Sequence, residues 1–252
     1  MRIPRLHVSN TLAGASTVVL DRDAAHHVSR VLRLRVGQPV VLFDGTGGEY
    51  RGRLSMIDGR LGAQIDDFCA DDRTESVALT LWQAVCRGGR MDFVIEKATE
   101  LGVQRIVPLV TQRVVVKLRP ERSRQRVAHW QKIAVAACEQ CGMNRVPRIE
   151  APLSLADALR RPNSRDGVAL WLDPGASEPL AAVLSPMPRQ VTMLVGPEGG
   201  FEDTEAQALR AAGFQPTGLG PRTLRADTAA IAALSMVQAL AQRSGPPPSA
   251  DA

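Results

Sequence analysis

The chain changes rhythm near residue 77, and that switch constrains its fold more than any other feature. Beyond it, near-continuous apolar runs read as strands at VALTLWQAV (77–85), RIVPLV (105–110), VALWL (168–172) and VTMLVG (191–196). Helical patterns fall between and after them, at 91–101, about 123–141, 203–212 and about 227–242, and a further short strand reaches Leu219. Strands that are apolar on both faces and separated by helices predict a parallel sheet covered on both sides. Before the switch the pattern is different. TVVL (17–20), PVVLFDG (39–45), EYRGRLSMI (49–57) and LGAQIDDF (61–68) are short β-prone runs punctuated by Asp44-Gly45, Gly47-Gly48 and Asp58-Gly59. One helix at 22–32, with Ala25, Val28 and Leu32 on a face, interrupts them. Short strands at this spacing predict a small β-barrel. The acidic stretch at 66–75 reads as a linker, so two domains are expected, 1–72 and 73–243. The Pro-rich 244–252 reads as a disordered tail.

Composition narrows the function classes. With 44% hydrophobic and 23% charged residues the chain can bury real cores. It has no apolar run near the roughly 18 residues of a membrane span. The first ten residues, MRIPRLHVSN, carry no apolar signal region, and four cysteines do not make a disulfide framework, so a cytoplasmic protein is expected. The net charge of +5 is unevenly spread: residues 1–72 are neutral, 73–150 carry +7, and 151–252 carry −2. A basic stretch of that kind suits a polyanionic partner met over part of the surface.

Several apparent motifs have plain explanations. Cys138-x-x-Cys141 sits in a helical stripe with Val127, Trp130, Ala134 and Ala137, so core packing is expected rather than a metal or redox pair. The four histidines lack metal spacing, and neither a phosphate loop nor a GxSxG elbow is present. Two segments are more informative. In LVGPEGGF (194–201) an apolar strand runs into a Gly/Pro bend and then a helix opened by Glu202, Asp203 and Glu205. Ligands of open α/β sheets bind beyond the carboxyl ends of strands, and the acidic helix entrance suits an uncharged or cationic ligand better than a phosphate. In LGPRTLRADTAA (219–230) a second strand ends at Gly220-Pro221, Arg222 and Arg225 follow three residues apart, and Asp227-Thr228 read as the cap of an Ala-rich helix.

Together these two segments resemble the paired signature of the RsmE family, 16S ribosomal RNA (uracil-N3)-methyltransferases of the SPOUT superfamily. The resemblance extends to MRIPR (1–5), HHVSRVLRLRVGQ (26–38), EKATELGV (96–103) and WQKIAVAACEQCGMNRVP (130–147), and so covers about residues 1–243. Two positions depart from the family pattern. Asp227 stands where Glu is more frequent, and Met143 where Arg is common, which would remove an RNA-facing charge. Membership implies an α/β fold, a C-terminal SPOUT domain with a deep trefoil knot, plus a small N-terminal PUA-like β-barrel. It also implies S-adenosylmethionine as donor, a homodimer, no metal and no membrane, and 16S ribosomal RNA within the small ribosomal subunit as partner. Carried over by position, Leu194, Gly196, Pro197, Glu198 and Gly199 would build the donor pocket with Leu219, Gly220, Leu224, Arg225 and Thr228. Leu172 would be a third wall.

Uracil N3 is protonated at neutral pH, so the reaction needs a base near N3 and cations near O2 and O4. Arg225, and after it Arg222, are the expected cations; Glu139 and Glu198 are both open as the base. The expected RNA track is Arg90, Arg113, Lys117, Arg119, Arg122, Arg124, Arg126 and Arg145, joined from the barrel by Arg2, Arg5, Arg30 and Arg33. A SPOUT enzyme acting on another RNA nucleotide, or a non-catalytic assembly factor that binds ribosomal RNA, would share most of these features. A nucleotide-using metabolic enzyme is disfavoured by the missing phosphate loop.

Overall fold

The computed structural model describes residues 3–70, 72–73, 76–113, 120–161 and 167–244. The chain forms two compact units: Met1–Thr74 with Val135–Val146, and Glu75–Ala134 with Pro147–Ala252.

The first unit is built on a five-stranded sheet. Its strands are β1 (Arg5–His7), β2 (Thr17–Val19), β3 (Pro39–Phe43), β4 (Glu49–Ile57) and β5 (Arg60–Cys69). Their order is β1-β3-β4-β5-β2, parallel only between β1 and β3. Inward residues of the period-2 pattern, among them Leu6, Val18, Val40, Leu42, Leu54 and Ala63, form its core. The helix expected at 22–32 is two elements. α1 (Arg22–His26) is capped by the Asp21 carboxylate, which accepts from the Ala24 N–H, and a π-helical turn continues it over His27–Val31. The last residues of the long helix α3 (Pro120–Cys141) also belong to this unit. Phe43, Cys138 and Met143 form a small buried cluster there. Met143 is 7% exposed, which corrects the expectation of a surface position: this departure from the family pattern fills an interior.

The second unit holds the parallel sheet. Strands β6 (Ala78–Ala84), β7 (Arg105–Val110), β8 (Arg148–Ile149), β9 (Leu153–Ser154), β10 (Val168–Leu172), β11 (Gln190–Val195) and β12 (Gln215–Thr217) are its members. The order is β12-β10-β11-β6-β7-β8, with β9 also on β7, and every pairing is parallel. Helices α2 (Arg90–Glu100), α4 (Leu155–Arg160), α5 (Leu180–Val183), α6 (Asp203–Ala211) and α7 (Ala226–Ser244) accompany α3. α4 and α6 pack together, and α2 packs on α7. One buried cluster joins Trp82, Trp171 and Leu194 of the sheet to Leu155 and Ala158 of α4 and Leu209 of α6.

The strand order fixes where a ligand can go. From β10 the chain moves to β11 on one side, then crosses back to β12 on the other. The loops after these three strands therefore diverge from adjacent positions, the arrangement that opens a crevice at the carboxyl edge of a parallel sheet.

Candidate donor-binding site

A cavity of about 680 Å³ lies at that edge, within the size range of small-molecule sites. Its walls come from the ends of β10 (Trp171, Leu172), β11 (Val195) and β12 (Thr217) and from the three loops that follow them. Gly196, Pro197, Glu198, Gly199, Leu219, Gly220, Leu224 and Arg225 all line it, as does Leu172. The backbone explains the composition of the loops. A Cβ on Gly196 would sit 2.9 Å from the Phe201 ring, itself part of the wall, and Gly220 holds φ at +100°, where L side chains are strained.

Two expected pocket residues do not line the cavity. Leu194 is fully buried in the core beneath it, because its neighbours Trp82 and Trp171 occupy the same face of the sheet. Thr228 is exposed on α7, its N–H donating to Asp227 Oδ1 at 2.9 Å. That helix begins at Ala226, so Asp227 belongs to its first turn rather than to its cap.

The wall contains Asp203 of the expected acidic helix entrance, and also Asp173, Phe201, Ala206 and Arg210, which the sequence reading does not assign to the pocket. Asp203, Ala206 and Arg210 recur three and four residues apart on α6, a helical stripe visible in the sequence. The Arg210 guanidinium lies 5.2 Å from the centre of the Trp171 ring, a cation–π contact.

The charge pattern argues against a phosphate ligand. A bare helix N-terminus attracts anions, but α6 opens on a capping box in which the Glu202 N–H donates to Glu205 Oε2 at 3.0 Å. Asp173, Glu198 and Asp203 add carboxylates to the wall, against the guanidiniums of Arg210, Arg222 and Arg225. A zwitterion with a cationic centre and no phosphate fits this donor set.

The remaining expected site residues separate into groups. Arg5 is corrected: it is 8% exposed, its Nη1 donates to Glu49 Oε2 at 2.5 Å, and its other terminal nitrogen donates to Asn144 Oδ1. It cannot face RNA. Arg145 pairs with Asp72 at 2.5 Å. Arg90 pairs with Glu198 at 3.1 Å and Arg113 with Glu202 at 2.7 Å, so both hold the pocket loop rather than standing free for phosphate. Arg30, Arg33 and Arg124 are exposed, Arg126 is half-buried, and none of the four has an ion pair among the described residues. Arg2, Lys117 and Arg119 lie outside the described residues, as does the Arg122 side chain. Glu139 belongs to the first unit, where its Oε1 accepts the His7 backbone N–H at 2.9 Å, and burial pushes its carboxyl above the ordinary range. Cys138 is buried and raised to about 12 by that burial, a core residue; among the described residues no group of side chains could hold a metal ion.

Comparison with known proteins agrees with this geometry. A family model described as an RNA methyltransferase domain matches residues 73–238, and one described as an RNA methyltransferase PUA domain matches residues 20–66. The second unit is thus an RNA methyltransferase domain. A ribosomal RNA small subunit methyltransferase E from Synechocystis is 33% identical over 228 residues, 89% of this chain and 74% of that protein. The one from Mycobacterium tuberculosis is 30% identical over 250 residues, 96% of this chain and 94% of its own. The crystal structure of the Neisseria gonorrhoeae enzyme, bound to S-adenosyl methionine, is 34% identical with a TM-score of 0.86, covering 95% of this chain and 98% of that one. The chain belongs to the ribosomal RNA small subunit methyltransferase E family.

Proposed function

We propose that this protein methylates N3 of a uridine in 16S ribosomal RNA, with S-adenosylmethionine as donor. The observation that carries the reading is the cavity at the ends of β10, β11 and β12, with Gly/Pro walls, three carboxylates and an acid-capped helix entrance. When bound, the donor supplies an electrophilic methyl group on a sulfonium. The chain's part is to orient the reactants and to manage one proton and one developing negative charge. Arg222 and Arg225, both lining the cavity and both exposed, are placed to stabilise charge on the uracil oxygens. Of the two candidate bases only Glu198 lines the cavity, and it would act as base from its ion pair with Arg90, whereas Glu139 lies in the other unit and accepts the His7 backbone N–H.

The first unit supports RNA contact through exposed Arg30 and Arg33, the latter at φ +52°, beside exposed Val31 and Val36. A homodimer is supported by exposed Phe93 on α2 and Met236 on α7, two helices that pack together.

Calorimetry with S-adenosylmethionine and mass mapping of methylated nucleosides in ribosomal RNA from cells with and without the protein test the reading. Donor binding and loss of one 3-methyluridine are expected. A chain that binds no donor at millimolar concentration would be an RNA-binding assembly factor instead. An Arg225→Ala variant that folds, binds donor and methylates at the wild-type rate would remove Arg225 from the chemistry.

A further inference from the structure

The Pro197–Glu202 bend is held from outside by the loop that follows β7. In the sheet β11 lies beside β6 and β6 beside β7, so residues beyond all three strands meet at one edge. Arg113, three residues past the end of β7, makes two hydrogen bonds to the bend. Its Nε donates to Glu202 Oε1 at 2.7 Å and its Nη1 to the Gly199 carbonyl at 2.7 Å. Its stem lies flat against Gly199: a Cβ there would be 3.3 Å from Arg113 Cβ and 3.4 Å from its Cδ. The preceding residue is fixed as well, since the Gln112 N–H donates to Oε1 of Glu205, a carboxylate only 7% exposed. Glu205 Oε2 in turn accepts the Glu202 N–H. One buried carboxylate therefore ties the Arg113 loop to the residue that Arg113 itself grips.

The sequence reading placed Arg113 among the phosphate contacts. We infer instead that Arg113 is a positioning residue for the methyl donor, holding Gly199 and Glu202 so that the bend forms the pocket wall. The inference rests on the proposed donor site. A planar guanidinium offers the carboxylate and the carbonyl separate nitrogens in a fixed fork while its stem packs on the glycine, whereas a lysine would have to serve both from one freely rotating ammonium. Glu202 and the Gly199 carbonyl take up Nε and Nη1, so a phosphate would have to compete with Glu202 to take the whole fork of the guanidinium.

The two roles predict opposite outcomes. Donor binding is measured by calorimetry with S-adenosylmethionine, and RNA binding by filter retention of transcribed 16S RNA over a salt series, both on the full chain. Arg113→Ala is expected to weaken donor binding about two- to fivefold, the upper part of the range for an exposed ion pair. RNA affinity and its salt slope should stay at the wild-type values. Glu202→Gln keeps an oxygen for the helix cap but breaks the ion pair, and should weaken donor binding in the same direction. The double variant should be no worse than the more affected single one. If Arg113 contacted phosphate, Arg113→Ala would lose RNA affinity and flatten the salt slope, while Glu202→Gln would free the guanidinium and tighten RNA binding. Either that pattern or unchanged donor binding in both folded variants overturns the inference. Should Arg113→Ala fail to fold, Glu202→Gln still decides. If the wild-type chain binds no donor, the proposed function fails rather than this assignment alone.

Discussion

Arg5 is where the distinction between an RNA contact and a structural cation has the largest measurable consequence. Its guanidinium is 5% exposed, the paired Glu49 carboxylate 13%, and Asn144 1%. It also lies 5.2 Å from the centre of the Phe43 ring. Arg5→Ala leaves Glu49 with a largely buried charge that has lost its partner, and removes the Arg5 hydrogen bond from Asn144. Removing one partner of a buried pair costs about 3–5 kcal/mol. Water can still reach part of Glu49, so the lower end applies, about 3 kcal/mol. For a chain of this size about 3 kcal/mol lowers the melting temperature by roughly 6–12 °C. Urea and thermal unfolding read the loss directly. A double variant, Arg5→Met with Glu49→Met, should recover the part due to the unpaired Glu49 charge, because a packed apolar pair often replaces a buried ion pair without cost, but not the part due to the hydrogen bond lost by Asn144. RNA affinity of the folded Arg5→Ala protein should match wild type. A variant that melts within about 2 °C of wild type and binds RNA more weakly would show that Arg5 is a surface contact after all.

Gly196→Ala would bring a methyl group to 2.9 Å from the Phe201 ring, which lines the cavity. Overpacking of that kind costs about 1 kcal/mol or more, and calorimetry should show donor binding weakened about fivefold or more, with unchanged binding refuting the close approach. Glu139 has its carboxyl raised by burial above 4.5, so the native state holds its proton where the unfolded state has lost it. Stability therefore falls as pH rises through the window just above 4.5, and Glu139→Gln, which keeps an acceptor for the His7 N–H, should gain on wild type across it in urea titrations; an advantage that shrinks with rising pH would contradict this. Arg30→Ala should lower the salt slope of RNA binding by about one unit, as for a single phosphate contact, whereas Arg145→Ala, whose guanidinium is paired with Asp72, should leave the slope alone. The reverse result would exchange their roles.

Much of the architecture was readable because the strands carry strong local signals. β4, β7 and β10 fall on the expected 49–57, 105–110 and 168–172, each an apolar or alternating run bounded by turn residues. β1, β8 and β9 were not readable: two or three residues give no periodicity, and these strands exist only because a longer neighbour offers a free edge. The stripe on α3 was legible as core, since Trp130, Ala134, Ala137 and Cys138 are buried, but a stripe does not say which core it fills. Contacts assign Val135–Val146 to the first unit, a long-range fact with no local signature. In the site, the Gly/Pro bends announced themselves, while Asp173 did not, because a single charged residue beyond a strand looks like solvated surface, and the spacing of Arg210 with Asp203 and Ala206 shows a shared helix face without showing that the face meets a cavity.

The arginines show why charge counts mislead about partners. The +7 of residues 73–150 reads as one basic track, yet three of its candidates are engaged with acids of their own unit: Arg90 with Glu198, Arg113 with Glu202, Arg145 with Asp72. Two of those acids belong to the −2 segment that contains the pocket bend. The segregation of charge along the sequence is thus partly undone in space, where the excess positive charge of one segment neutralises the acids that α6 and its approach require. That exchange serves the site in both directions. The acids exclude phosphate from the helix entrance, and the arginines keep those acids from repelling one another where Glu198, Glu202, Asp203 and Glu205 crowd within eight residues. A bend so rich in carboxylates needs cations from outside its own segment, and the parallel sheet supplies them because it brings the ends of β6 and β7 to the same edge as β11.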